Sequence, residues 1–152
     1  MPEFSITSSD FEEGGEIPKK FGYKHGNEQP DIGFGHIPNE TKTLALIMDD
    51  PDAMGAVGKV WVHWLLFYEN MQIADFDFAR EKGRRTIFGK TDFGEIGYGG
   101  PAPPDKRHTY VFKAYALDVE LDLKEGFSKQ ELEDAMKGHI IAEAKLTGTF
   151  AP

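Results

Sequence analysis

The sequence predicts a mostly antiparallel β fold with a few peripheral helices, and two observations support this. Short runs rich in β-branched and aromatic residues lie between glycines and prolines through the first two thirds of the chain. The alternation of strands and helices that a parallel sheet requires is missing. The length of 152 residues predicts one domain, 1–152, large enough to bury a core.

Three segments have the composition of strands. The apolar run 43–48 stops at an Asp-Asp-Pro-Asp turn, as a buried strand would. Segment 60–68 is rich in Val, Trp, Phe and Tyr, and a period of two places four of its side chains on one face: Trp61, His63, Leu65 and Phe67. The longest predicted strand is 109–123, preceded by a histidine that shares a face with two aromatic residues: His108, Tyr110 and Phe112.

Two helices are predicted. Ser128 and Glu131 match a capping box, in which each side chain bonds an otherwise unpaired backbone N–H group. Apolar residues follow at helical spacing as far as Ile140, and Gly148 is the expected stop. A second helix is predicted over about residues 73–82.

Composition and charge exclude several classes of function. Lys and Arg number 17 against 26 Asp and Glu, a net charge of -9, which disfavours nucleic acid or an anionic membrane as the partner. The absence of cysteine excludes disulfides and thiolate chemistry and fits a reducing cytoplasm. The amino terminus does not match a signal peptide, and the longest apolar stretch, Val60–Tyr68, is too short to cross a bilayer. We therefore expect a cytoplasmic protein without an integral membrane segment.

Two familiar catalytic patterns are also missing. Segment 83–91 has five residues between its glycines where a phosphate-binding P-loop has four. None of the four serines lies in the Gly-x-Ser-x-Gly pattern of serine hydrolases. No nucleophile for an enzyme is evident.

Polar residues gather at the predicted strand ends. Asp50 and Asp52 flank a proline, so both carboxylates can project to one side of a turn. His63 interrupts an apolar strand, while His108 and Tyr110 share a strand face after the Gly- and Pro-rich run 99–104. Taken singly, these features are typical of a turn, a core histidine and a rigid loop.

Together the segments resemble signatures of the phosphatidylethanolamine-binding protein family, which includes the Raf kinase inhibitor proteins and bacterial and archaeal relatives. Three motifs carry the resemblance: Asp50-Pro51-Asp52-Ala53, Trp61-Val62-His63-Trp64, and Gly100-Pro101-Ala102-Pro103-Pro104 with His108-Thr109-Tyr110-Val111-Phe112. The compact length resembles the prokaryotic branch. One departure is Met54, where the family usually has proline.

The resemblance implies a β-sheet sandwich with peripheral helices and a pocket for phosphate-type head groups. The matching positions for its lining are Asp50, Asp52, His63, Pro104, His108 and Tyr110. Imidazoles and a phenol donate hydrogen bonds to phosphate oxygens, and a neighbouring carboxylate favours the protonated, stronger-donating imidazole. A carboxylate could instead face an ethanolamine ammonium group. No cofactor is expected. The negative net charge repels an anion at long range, so binding must depend on short-range donors in the pocket, and a bare head group should bind weakly because it offers few atoms to contact.

Two alternatives and one question of assembly stay open. Asp50, Asp52, His63 and His108 have the ligand chemistry of a zinc, iron or manganese site, so a metal-dependent hydrolase is one alternative. The other is a regulator or inhibitor of a kinase or protease, with a local basic cluster for an acidic partner: Arg80, Lys82, Arg84 and Arg85. A homodimer is compatible with either.

Overall fold

Two β-sheets pack against each other across one hydrophobic core in the computed structural model, which describes residues 3–68, 78–80 and 86–152. The strands are β1 (Ser5–Thr7), β2 (Gly15–Glu16), β3 (Gly33–Gly35), β4 (Thr43–Asp50), β5 (Trp61–Tyr68), β6 (Phe78–Arg80), β7 (Ile87–Phe88), β8 (His108–Leu117) and β9 (Ile140–Phe150). The helices are α1 (Ala53–Val57), α2 (Lys129–Met136) and a 3-10 turn, Lys19–Phe21.

Six strands form the larger sheet, in the order β2-β9-β8-β4-β5-β7. Its neighbours are antiparallel, except that β2 runs parallel to β9. The smaller sheet, β1-β3-β6, is antiparallel throughout. The mostly antiparallel β fold predicted from the sequence is therefore confirmed.

Strand β4 lies inside the larger sheet and is buried on both faces. Leu44, Leu46 and Met48 point into the core shared with the smaller sheet. Ala45 and Ile47 point the other way, into a second core. Helix α2 covers that second core, because its Leu132 and Met136 side chains pack into it. Two covered faces explain why this strand is continuously apolar rather than alternating.

The strand continues for two residues past the predicted boundary at residue 48. Asp49 and Asp50 belong to the ladder rather than to the turn, since each has a partner strand and a cation. The Asp49 carboxylate is buried on the α2 side, where Oδ2 lies 3.0 Å from Nζ of Lys113 and 3.3 Å from Nζ of Lys129. Asp50 points to the opposite face of the sheet.

Strand β8 ends at Leu117 and not at residue 123 as predicted. Leu117 pairs with Thr43, the first residue of β4, so the ladder to that neighbour ends there. On the other side, β8 pairs with β9 from His108 opposite Phe150 to Leu117 opposite Ile140.

Helix α2 begins where the sequence predicted and ends earlier. The Ser128 Oγ accepts a 3.0 Å hydrogen bond from the Glu131 N–H, and the Glu131 carboxylate accepts one from Ser128 N–H, which confirms the capping box. The helix stops at Met136, because Lys137 has an extended ψ of 124° and forms a turn with Gly138, whose φ is 82°; the His139 N–H closes this turn by donating to the Met136 carbonyl. The predicted continuation through Ile140 to Gly148 is wrong, since those residues form β9.

The second predicted helix, about 73–82, lies largely outside the described residues. Its described part, Phe78–Arg80, is strand β6, so the helix prediction is wrong there. Among the described residues, no helix has the length and apolar character needed to span a membrane.

Candidate functional site

A cavity of about 120 Å³ opens at the end of the larger sheet where β4 stops. Asp50 ends β4, helix α1 follows immediately, and β5 returns at Trp61. Strand β8 extends beyond its last pairing with β4, which brings His108 to the same place. The cavity is lined by Asp50, Ala53, Ala56, Val57, Trp61, His63, Phe93, Ala102, Pro104 and His108.

Four of the six residues predicted from the sequence line this cavity: Asp50, His63, Pro104 and His108. The other two, Asp52 and Tyr110, do not line the cavity but contact elements that form it. Asp52 lies just before α1, and its Oδ2 accepts a 2.8 Å hydrogen bond from the Thr109 N–H, which ties the turn to β8. Tyr110 is fully buried, with its ring centroid 5.1 Å from that of His63 and 6.3 Å from that of His108.

A β-bulge brings His63 to the cavity. Met48 pairs with Trp64, but the next residue of β4, Asp49, pairs with Val62. Strand β5 therefore contains one extra residue, His63, at this point. In a regular strand, every second side chain points to the same face of the sheet. The extra residue interrupts this alternation, so odd-numbered residues before the bulge and odd-numbered residues after it point to opposite faces.

The prediction that Trp61, His63, Leu65 and Phe67 share one face is consequently wrong. Leu65 and Phe67 pack in the core beneath α2. His63 packs edge-on against Tyr110, whose side chain belongs to the core between the two sheets. Trp61 lines the cavity together with His63. A strand with uninterrupted alternation would have buried this histidine under α2.

The ring of His63 has one nitrogen committed to the backbone. Its Nδ1 lies 2.6 Å from the carbonyl oxygen of Gly99, and a carbonyl only accepts, so Nδ1 carries the proton and donates. The side chain is buried, and burial lowers the pKa of His63 although the Gly99 bond and Asp50 act in the opposite direction. The neutral ring therefore leaves Nε2 as a hydrogen-bond acceptor.

His108 has the opposite electrostatic setting. Its Nδ1 lies 2.6 Å from Asp50 Oδ2, and its Nε2 lies 2.7 Å from Asp105 Oδ1. Both ring nitrogens must donate to satisfy two carboxylates, which only the imidazolium form can do. Burial lowers the pKa of His108, but the hydrogen bonds to Asp50 and Asp105 outweigh it and raise the pKa above its ordinary value.

The two carboxylates on His108 differ in exposure. The Asp50 side chain is only 4% exposed, whereas that of Asp105 is 43% exposed. The hydrogen bond to His108 also lowers the pKa of Asp105. Asp105 was not among the predicted site residues. Its position three residues before His108, directly after the Pro-rich run, is the signal in the sequence that points to it.

The Tyr110 hydroxyl is held in an unusual environment. Burial raises the pKa of Tyr110, and the neighbouring Asp50 carboxylate raises it further. Asp50 and the Ala102 backbone are close enough to act on this hydroxyl, yet it completes no hydrogen bond of ordinary geometry within the described part of the chain. The phenol stays protonated and can act as a donor.

Apolar side chains surround these polar groups. Phe93 forms one wall, and its ring stacks on Tyr23 with centroids 3.9 Å apart and an interplanar angle of 3°. A Cβ atom on Gly99 would lie 2.6 Å from the Phe93 ring, so glycine allows this wall to approach. Helix α1 contributes Ala53, Ala56 and Val57 to the lining, and Val57 and the neighbouring Met54 are 51% and 57% exposed. The cavity thus has a polar floor beneath an apolar rim.

Of the residues considered for a metal site, Asp50, His63 and His108 line the cavity, and Asp52 does not. Within residues 3–68 and 86–152, no three or more His, Asp or Glu side chains are arranged to hold a metal ion. Of the basic cluster, Lys82, Arg84 and Arg85 lie outside the described residues, and Arg80 ends β6.

Comparison with known proteins gives a consistent result. The family model described as phosphatidylethanolamine-binding protein matches residues 7–151. A Chlamydia muridarum protein described as a UPF0098 protein is 42% identical over 147 residues, covering 95% of this chain and 97% of its own length. A UPF0098 protein of Methanothermobacter thermautotrophicus is 40% identical over 144 residues, covering 92% and 93%.

Two solved structures are also similar. One, from Chlamydia trachomatis, is described as a putative phosphatidylethanolamine-binding protein homolog; it is 38% identical, with a TM-score of 0.86, over 98% of this chain and 97% of its own. The other is YbcL of Escherichia coli, described as a new member of the mammalian family. It is 27% identical, with a TM-score of 0.83, over 98% of each chain.

Proposed function

The chain belongs to the phosphatidylethanolamine-binding protein family, and on that premise we propose that its cavity binds a small anionic or phosphorylated ligand without converting it. The chemistry that we have in mind is that of a phosphoethanolamine-like head group. The observation that carries the proposal is a buried imidazolium, His108, at the floor of a cavity with an apolar rim.

The size of the cavity supports a small ligand. Sites for drug-sized molecules have volumes of roughly 300 Å³ or more, and this cavity has about 120 Å³. A head group would enter, while any attached carbon chain would lie along the exposed apolar side chains of α1, Met54 and Val57.

The donors at the floor support an anion. A phosphate oxygen would accept a charge-assisted hydrogen bond from the His108 imidazolium. Tyr110 supports the floor as a protonated phenol, and Asp52 anchors the turn that carries α1. The neutral His63 presents an acceptor at Nε2, which would accept a hydrogen bond from an ammonium group or from a singly protonated phosphate. Pro104 contributes a rigid wall.

Binding of a bare head group should be weak. The ligand offers few atoms, and the cavity floor already contains the Asp50 carboxylate. We expect a Kd on the order of 10 μM to 1 mM. We propose binding without catalysis because the chain has no cysteine and none of its four serines lies in a nucleophile motif. Regulation of a kinase or protease stays a prediction from the family resemblance, and a homodimer stays a separate prediction.

The test is an NMR titration of phosphoethanolamine into EDTA-treated protein, following the histidine ring resonances. We expect saturable shifts at His63 and His108, with His25, His36 and His139 unmoved. Ethanolamine alone, at the same concentrations, shows whether the phosphate is required. An absence of shifts up to millimolar ligand would refute the proposal.

A matched pair of variants localises the binding. His108→Gln should abolish the shift at His63, since the anion loses its charged donor. His139→Gln is the control, because His139 also pairs with a carboxylate, Asp118, at 2.9 Å but is 45% exposed and absent from the cavity lining. Equal loss of binding in both variants would contradict the assignment.

A further inference from the structure

His108 has no N–H group free for a ligand. Its Nδ1 is held by Asp50, which is buried with it at the floor of the cavity. Its Nε2 is held by the Asp105 carboxylate at 2.7 Å. An anion that bonds this imidazolium must therefore replace one of the two carboxylates.

The solvent exposure of the two aspartate side chains indicates which carboxylate can move away from His108. Asp50 is 4% exposed, lies within strand β4 and would have to break into the core to move. Asp105 is 43% exposed and lies in the loop before β8, followed by the exposed Lys106 and Arg107. Rotation of the Asp105 side chain into water costs little packing and frees the Nε2–H group.

We propose that Asp105 is an internal competitor for the anionic group of the ligand: its carboxylate occupies the position of a ligand oxygen on His108 Nε2 and leaves when the ligand binds. This inference rests on the proposed function, because it names the residue that controls access to the same site. Asp105 thereby sets both affinity and selectivity, admitting ligands whose anionic oxygen competes with a carboxylate.

The local charges favour an exchange over a simple addition. With Asp105 in place, the imidazolium already faces two carboxylates, and Asp52 lies nearby on the turn. An anion added to this arrangement would meet uncompensated negative charge. An anion that displaces Asp105 leaves the number of carboxylate or phosphate groups on His108 unchanged. His63, being neutral, adds no positive charge that would alter this balance.

Only molecules in which Asp105 has left Nε2 can bind the anion, so the apparent Kd equals the intrinsic Kd divided by the fraction of such molecules. Asp105→Asn keeps the shape of the side chain but removes its charge, so it competes less well for the Nε2–H group. An exposed ion pair is weak, and its loss should tighten binding about two- to fivefold. Asp105→Ala, which removes the competitor altogether, should tighten binding at least as much.

The experiment measures Kd for phosphoethanolamine and, separately, for inorganic phosphate, by calorimetry at about pH 6, where His108 is charged. Asp118→Asn is the control, since it removes an exposed carboxylate from another histidine, His139, with the same change in net charge. The expected result is tighter binding of both probes by the two Asp105 variants and an unchanged Kd for the control.

The two possible failures are distinguishable. Binding by the unaltered protein with equal or weaker binding by both Asp105 variants would overturn the inference alone; weaker binding would mean that Asp105 holds the imidazolium in place for the ligand. Equal tightening by the Asp118 control would also overturn it, because net charge would then be the cause. Absence of binding by every protein would refute the proposed function itself.

Discussion

Replacing Asp50 by Asn tests the charge state of the pair at the floor of the cavity. Asn has the same shape, and its amide oxygen can accept the same hydrogen bond from His108 Nδ1–H. The replacement therefore removes the charge while the packing of two buried side chains, 4% and 1% exposed, is kept. Any loss of stability reports the charged character of the 2.6 Å contact.

The magnitude follows from the class of hydrogen bond. A bond to a charged group contributes roughly 1.5–3 kcal/mol and a neutral one roughly 0.5–1.5 kcal/mol. Asp50→Asn should thus lower the free energy of unfolding by about 1–2 kcal/mol near pH 6. Because the pKa of His108 is raised in the folded state, the stabilisation is complete below the ordinary value of about 6.5 and is lost as pH rises through the raised value.

The assay is urea unfolding of the unaltered protein and Asp50→Asn at about pH 6 and about pH 9. The cost of the substitution should be largest at the lower pH and should shrink as pH rises through the raised pKa of His108. Asp118→Asn, which disrupts the exposed pair with His139, should change stability by less than about 0.5 kcal/mol at either pH. A cost that is equal at both pH values, or larger at pH 9, would refute the imidazolium assignment.

Two further predictions concern His63 and the loop behind it. Burial lowers the pKa of His63, so its ring should titrate below about pH 6.5 in an NMR pH series, and stability linked to this group should be lost as pH falls; a midpoint above 6.5 would contradict the neutral ring. Gly100→Ala should destabilise the protein by about 1–3 kcal/mol in urea unfolding, since its Cβ would lie 2.0 Å from the Phe21 carbonyl oxygen. Gly55→Ala, in α1 with open space around it, is the control and should be neutral or slightly stabilising; equal destabilisation of both would contradict the clash.

Much of the site could be predicted from the sequence because its residues lie at strand ends. Asp50 ends a buried apolar run, and His108 begins a strand with clear alternation through Tyr110. In an antiparallel pair, the last residue of one strand and the first residue of its partner lie at the same end of the sheet. These residues therefore lie close together even if the exact pairing of the two strands is not known. The polar character of the cavity floor could also be predicted, because it depends only on which residue types stand at these positions.

The orientation of His63 could not be predicted, because a bulge is a property of two strands together. The extra residue in β5 exists only relative to the pairing with β4, and no single-strand period shows it. Asp105 was missed for a related reason: its role depends on the distance to His108 Nε2 across a loop. Its position three residues before His108 is visible in the sequence, but its contact with Nε2 is not.

The helix predicted over residues 128–148 is too long because the apolar residues keep a helical spacing for several positions beyond its true end. Leu132 and Met136 do pack as a helix predicts, and His139 and Ile140 continue that spacing by coincidence. The turn at Lys137 and the left-handed Gly138 ends the helix, and the pairing of β9 with β8 then favours the extended conformation. Tertiary pairing outweighed local periodicity there.

The neighbouring carboxylates of β4 also bear on how the chain avoids misfolded alternatives. Because residues 44–48 are apolar on both faces, hydrophobicity distinguishes poorly between the native alignment of this strand and one slipped by a single residue. The two carboxylates do distinguish them: Asp49 meets two lysines on one face, and Asp50 meets His108 on the other. A slip in either direction presents Met48 to the lysines or Pro51 to the imidazolium, leaving a cation without its counterion. The charge pairs on the two faces of β4 thus select a single alignment of the central strand. Because Asp50 belongs to one of these pairs and also lines the cavity, mutations of Asp50 change both the ligand site and the choice of strand alignment during folding.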